Sequence, residues 1–121
     1  MQFVTAEVDA LEQIRHENIV KVLDLCEDDE HICVVMELVT GGNLGMLVRE
    51  RFIEKDEFTE QEIVSMVYQI LLALKYLHER ERPLAHRDLK PDNILVEEDS
   101  ATGMIVCKLT DFGMAFEESK D

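Results

Sequence analysis

His86-Arg87-Asp88-Leu89-Lys90-Pro91-Asp92-Asn93 is the stretch on which the reading of this chain turns, together with Asp111-Phe112-Gly113 further along. Pro91 biases Lys90 away from helical backbone, so Asp88-Leu89-Lys90 is expected to be extended or turn-like. Residues two apart in extended backbone project to the same side. Asp88 and Lys90 can then face one site, the carboxylate to accept a hydroxyl proton and the ammonium to offset charge on a transferring phosphoryl group. Asn93 and Asp111 offer hard oxygen ligands, which suit magnesium, an ion that takes few protein ligands and completes its shell with water and nucleotide phosphates. Alone, Asp-Phe-Gly is a common kind of turn after a strand. The eight-residue motif ahead of it, with a hairpin between the two, makes a much more specific pattern.

That intervening hairpin is read from Ile94-Leu95-Val96 and Ile105-Val106-Cys107-Lys108-Leu109, which flank an acidic turn containing Gly103. Upstream, Thr59-Glu60-Gln61-Glu62 has the form of a capping box directly before Ile63, Val67, Ile70, Leu74 and Leu77. The expected helix runs from about Glu60 to Glu79, with Pro83 as a stop. Thr40-Gly41-Gly42-Asn43 breaks regular structure, and a short helical piece with Leu44, Met46, Leu47 and Val48 follows. Residues 19–26 and 32–39 are β-branched-rich runs around an acidic cluster and predict an antiparallel hairpin. The second run is apolar on both faces, as a strand inside a sheet is. Phe3, Val4, Val8, Ala10, Leu11 and Ile14 predict an amphipathic first helix to about Arg15. Glu7 falls within its apolar stripe, and either meets a cation or reaches water by a slight roll of the helix.

With 121 residues and 46% hydrophobic content, the chain is one domain at most and can bury an ordinary core. No apolar run approaches a membrane span, and the first residues lack the blocks of a secretory signal, so an intracellular location, cytoplasmic or nuclear, is expected. Acidic residues number 27 against 12 basic, a formal charge of -15. Such a chain repels nucleic acid and anionic membrane unless basic groups cluster, and they do not. The acidity gathers in Glu27-Asp28-Asp29-Glu30 and Glu97-Glu98-Asp99, as solvated hairpin tips or as docking sites for a basic peptide. Cys26, Cys33 and Cys107 suggest neither a disulfide framework nor a zinc site and are expected as reduced thiols in strands.

Across nearly its whole length the sequence resembles the eukaryotic protein kinases. The two motifs quoted first resemble their catalytic and magnesium loops, and Glu7, followed by His16-Glu17-Asn18-Ile19-Val20, resembles the helix glutamate that pairs with the nucleotide-binding lysine. The resemblance implies an α+β, two-lobe kinase-like fold that is incomplete here: a glutamate helix, two N-lobe strands, a hinge, a long C-lobe helix, the catalytic loop and the hairpin to Asp-Phe-Gly. Residues 1–121 would form part of a catalytic domain, with 1–39 in the N-lobe and hinge and 40–121 in the C-lobe. It implies Asp88 as base, Lys90 as phosphate contact, and Asn93 and Asp111 as metal ligands. Met36 would be the gatekeeper, and Glu37-Leu38-Val39 the hinge whose backbone binds adenine. Asn43 stands where many kinases place an acidic residue facing the ribose, Leu95 resembles the residue that packs under adenine, and Glu7 would serve the nucleotide site through a lysine that this sequence does not contain. Leu11, Val22, His86 and Phe112 align with the stacked regulatory spine.

Asp-Leu-Lys-Pro-Asp-Asn is the serine/threonine form of the loop, and Arg87 resembles the arginine on which a phosphorylated activation loop docks. Residues 36–44 look most like the calmodulin-dependent and checkpoint branch. The implied activity is transfer of the ATP γ-phosphoryl group, with Mg2+, to a serine or threonine of a protein substrate. Absent from the sequence are the Gly-rich loop, the Ala-x-Lys strand and the Ala-Pro-Glu segment, so the isolated chain is expected to be weakly active or inactive. The alternatives are a non-catalytic kinase-like binding module and a truncated gene-model remnant.

Overall fold

The run Ile94 to Leu109 alternates and then turns, and the chain around it is organised by that hairpin. A computed structural model describes residues 13–80, 84–85, 89–110 and 116–117, with residues 25, 27, 32, 84, 85, 116 and 117 described through their backbone alone. Strands β4 (Ile94–Glu98) and β5 (Ile105–Leu109) are antiparallel, paired from Ile94 with Leu109 to Glu98 with Ile105. Between them Asp99 Oδ1 accepts the N–H groups of Ala101 and Thr102, and Gly103 takes φ +73°, a conformation that costs glycine least. The inner face, Ile94, Val96, Cys107 and Leu109, is at most 4% exposed.

That face rests on the long helix α2 (Glu60–His78), following α1 (Leu44–Glu54). Thr59 Oγ1 accepts the Glu62 N–H while the Glu62 carboxylate accepts the Thr59 N–H, the reciprocal pair that the Thr-Glu-Gln-Glu spelling predicts. The helix ends at His78, one residue short of the expected limit. Its buried face is Met66, Ala73 and Leu77, joined by the half-buried Ile70 and Leu74. Ile63 and Val67, expected on that stripe, are about half exposed instead. A helix that is apolar nearly all round leaves the choice of inner face to its packing partner, here β4 and β5.

Residues 18–20 lie beside β5: Leu109 N–H donates to Asn18 O, Val20 N–H donates to Leu109 O, and Ile19 bridges Leu109 in parallel. This is why β1 (Val22–Glu27) begins at Val22 and not at Ile19. It pairs antiparallel with β2 (Ile32–Met36), with an irregularity between Val22 and Asp24. The hairpin tip is ordered by Asp28, whose Oδ1 accepts the N–H groups of Glu30 and His31, holding its carboxyl below the usual range. β2 ends at Met36, and the antiparallel bonding carries one residue further, Glu37 N–H donating to Lys21 O. Expected inside a sheet, this strand has only β1 as neighbour among the described residues, and Val34, Val35 and Met36 are 40–45% exposed. Two short strands, β3 (Leu84–Ala85) and β6 (Phe116–Glu117), pair antiparallel.

Of the expected first helix, residues 1–12 lie outside the described residues; Gln13 is in a turn and Ile14 and Arg15 are irregular. Cys26, Cys33 and Cys107 are free thiols on β1, β2 and β5. No described helix is long and apolar enough to cross a membrane.

Candidate functional site

Lys90 is extended, φ -157° and ψ 161°, as the following proline dictates, and a 3-10 turn over Pro91–Asn93 delivers the chain into β4. Asn93 N–H closes that turn on Lys90 O at 2.9 Å, and Asn93 O accepts the N–H of Thr110 at 3.0 Å. The hairpin register therefore sets Asn93, 7% exposed, against the residue that precedes Asp111. Asn93 and Thr110, seventeen residues apart by their numbers (110 − 93), are brought together by one strand reversal. Lys90 is exposed. Asp88, Asp111 and Glu7 lie outside the described residues, as do Leu11, His86, Arg87 and Phe112. Val22, the remaining position of the expected spine, is 7% exposed.

The second group of expected residues meets at the opposite edge of β4. Val96 N–H donates to Gly42 O at 2.9 Å and Asn43 bridges Leu95, so the Thr-Gly-Gly-Asn break runs alongside the strand. Gly41 is required there, since the Val96 carbonyl fills the space that a Cβ would take. Asn43 Oδ1 caps α1 by accepting the Met46 N–H at 2.8 Å, which leaves its amide nitrogen for other contacts. Leu95 is half-buried on the face of β4 opposite Ile94 and Val96.

Lys108 stands opposite Leu95 on β5, and its Nζ reaches Glu37 Oε1 at 3.2 Å and Glu97 Oε1 at 3.4 Å. Glu37 Oε1 also accepts the Lys21 N–H, while Glu37 N–H donates to Lys21 O. Thr110 Oγ1 lies 4.0 Å from Met36 Sδ. Glu37, the start of the expected hinge, is thus tied to β5 by an ion pair, and Met36, the expected gatekeeper, touches Thr110 just past the end of β5. Val39 is half-buried and Leu38 is 84% exposed.

Behind the hairpin, Gln69 of α2 gathers polar groups that the sequence reading did not assign. Its Oε1 accepts from Asn18 Nδ2 at 2.9 Å and from Cys107 N at 2.8 Å, and its Nε2 donates to Ile105 O at 2.9 Å. Asn18, 5% exposed, also donates to Cys107 O. A glutamine on the core side of a helix and a lysine inside a strand of apolar residues were the available signals for Gln69 and Lys108. Burial pushes the Cys107 thiol up to about 11. At the start of α2, Arg51 grips Glu62 at 2.8 and 3.1 Å, holding its carboxyl down to about 2. Arg51 also stacks on the Phe58 ring, at the wall of a cleft of about 610 Å³ with Phe52 and Ile63. That cleft shares no residue with the groups around Asn93, Leu95 or Glu37. Among the described residues no group of three or more His, Cys, Asp or Glu side chains could hold a metal ion.

A family model described as the protein kinase domain matches residues 2–121. The chain is similar to "Probable serine/threonine-protein kinase fhkD" of Dictyostelium discoideum, 41% identical over 110 residues, covering 91% of this chain and 14% of that protein. It is 36% identical over 109 residues to calcium/calmodulin-dependent protein kinase type 1 of Macrobrachium nipponense, covering 90% of this chain and 29% of that one. Among solved structures, that of Rad53 1-466 in complex with AMP-PNP matches with a TM-score of 0.79 and 38% identity, over 94% of this chain and 28% of that chain. The chain thus spans less than a third of the length of each of these relatives.

Proposed function

The chain belongs to the protein kinase family, and on that footing we propose that it is the central part of a serine/threonine kinase that transfers the γ-phosphoryl group of ATP to a protein hydroxyl. The named relatives are serine/threonine and calcium/calmodulin-dependent kinases, and the structural neighbour carries an ATP analogue. The observation that carries the reading is the register of the β4–β5 hairpin. It joins Asn93 O to Thr110 N, so Asn93, three residues beyond the extended Lys90, is set against the residue that precedes Asp111 in sequence.

In this reading Asp88 accepts the proton of the substrate hydroxyl and Lys90 offsets charge on the phosphoryl group in transit. The Asn93 carboxamide and the Asp111 carboxylate are hard oxygen donors of the kind magnesium takes, and they would hold that ion, which neutralises phosphate charge when bound. The hinge backbone at Glu37 and Val39 meets the adenine edge, Leu95 packs under the ring, and Asn43 reaches the ribose through its amide nitrogen. Glu7 orients the nucleotide-binding lysine. Residues 1–39 would then form part of the N-lobe and hinge, and residues 40–121 part of the C-lobe.

Calorimetry with magnesium-ATP on a kinase carrying this stretch, beside its Asp111→Ala variant, tests the nucleotide site. Binding heat in the parent and its loss in the variant is the expected result; equal heats in both would overturn it. Asp88→Asn should keep that heat while lowering phosphoryl transfer by about 10²–10⁴-fold, the usual worth of a general base.

A further inference from the structure

Cys26 of β1 and Cys33 of β2 stand directly opposite one another in the antiparallel register. Opposed residues send their side chains to the same face of a hairpin. The next positions on that side are Asp24 of β1 and Val35 of β2 and, just beyond the strand ends, Asp28 and His31, three of the four polar and all exposed. Both thiols are free and exposed on this water-facing side. Opposed residues of antiparallel strands have Cα atoms about 4.5–5.5 Å apart, whichever hydrogen-bonding class the pair belongs to. That lies inside the roughly 4.4–6.8 Å over which a disulfide can form. Cβ atoms of such pairs sit about 4.5–5.5 Å apart and must close to about 3.5–4.5 Å, a movement of about one ångström.

We propose that Cys26 and Cys33 form a redox-active dithiol, oxidised by low-molecular-weight disulfides of the glutathione class to a cross-strand disulfide. The thiolate of one cysteine attacks a sulfur of the small disulfide, forming a mixed disulfide and releasing one small thiolate. The thiolate of the other cysteine then attacks the protein sulfur of that intermediate, closing the cross-strand bond and releasing the second small thiolate. The two protein thiol protons pass through water to the two departing thiolates, so the protein loses two hydrogens and one small disulfide becomes two thiols. An exposed bond that its strands must close slightly to make is readily reopened by thiols, which makes the pair a reversible site. Cys107 is the internal contrast: 1% exposed in the core against α2, it is closed to the same reagents.

The test equilibrates the whole chain in oxidised and reduced glutathione mixtures, natively and in guanidinium chloride, then alkylates it and maps it by mass spectrometry. The native chain should lose two hydrogens, yield a linked pair of peptides containing Cys26 and Cys33, and leave Cys107 alkylated. Its equilibrium constant against glutathione should exceed that of the denatured chain by about tenfold or more, because only the hairpin holds the sulfurs together. Cys33→Ser should retain a glutathione mixed disulfide at Cys26 that the parent resolves. Equal constants in the two states, a link through Cys107, or mixed disulfides that persist in the parent would overturn the proposal.

Discussion

Lys108 Nζ lies 3.2 Å from Glu37 Oε1, a contact between residues 71 apart in sequence that fastens β5 to the segment leaving β2. Glu97 shares the same ammonium at 3.4 Å. The lysine side chain is 15% exposed and the two carboxylates 31% and 32%, so water screens the cluster only in part.

Lys108→Met keeps the aliphatic stem and removes the charge. Glu37 and Glu97 then face each other without a cation, and the pairing of Glu37 with Lys21 loosens. The expected cost is about 1–2 kcal/mol, read as roughly tenfold faster amide hydrogen exchange at Glu37. Unchanged exchange there would show that the backbone contact with Lys21 suffices.

Gln69→Leu should be costlier than its similar size suggests. Asn18 Nδ2, Cys107 N and Ile105 O all lose a partner at once. Leaving such groups unpaired costs about 1–3 kcal/mol each, so α2 helicity should melt at distinctly lower denaturant, by about 2 kcal/mol or more. Circular dichroism through a urea titration measures it, and a midpoint equal to the parent's would refute the network's role.

Glu62 carries a pH prediction. Its ordinary value is 4.5 and the Arg51 guanidinium and Thr59 N–H hold it to about 2 in the folded chain. A carboxyl lowered by folding stabilises above its unfolded pKa, and that contribution is lost as pH falls through the folded one. The start of α2 should therefore lose support between about 4.5 and about 2. Carboxyl-carbon NMR should report titration of Glu62 near the lower value, and Arg51→Gln should move it upward.

The outer face of α2 presents Val64, Val67, Tyr68 and Leu71 at 50–62% exposure. An apolar stripe of that kind binds hydrophobic dyes. Val64→Lys together with Leu71→Lys should cut the dye fluorescence of the 121-residue chain by about half with helicity retained; undiminished fluorescence would place the dye elsewhere.

Local signals were the legible ones. The capping box at Thr59–Glu62, the Asp99–Gly103 turn and the extended Lys90 before Pro91 each depend on residues within four positions, and each is present. Which face of α2 points inward could not be read, because Ile63 and Val67 are as apolar as Met66 and Ala73 and only β4 and β5 decide between them. β1 began later than expected for a similar reason: Ile19 and Val20 are good strand residues, but their partner is β5, ninety positions from Ile19 by their numbers (109 − 19). Of the proposed site, Asn93, Leu95, Asn43, Glu37 and Val39 were named through family motifs. Lys108 stood out as a lysine inside an apolar strand, but its partner Glu37, 71 residues away, left no local trace.

The stitching of residues 18–20 to β5 and to Gln69 has a mechanical corollary. Although that turn leads directly into β1 in sequence, it is riveted to β5 and α2. Any rocking of β1 and β2 must pivot above Val20, at the irregular step from Val22 to Asp24 and at the exit through Glu37, with the Asn18 turn staying behind as a fixed fulcrum.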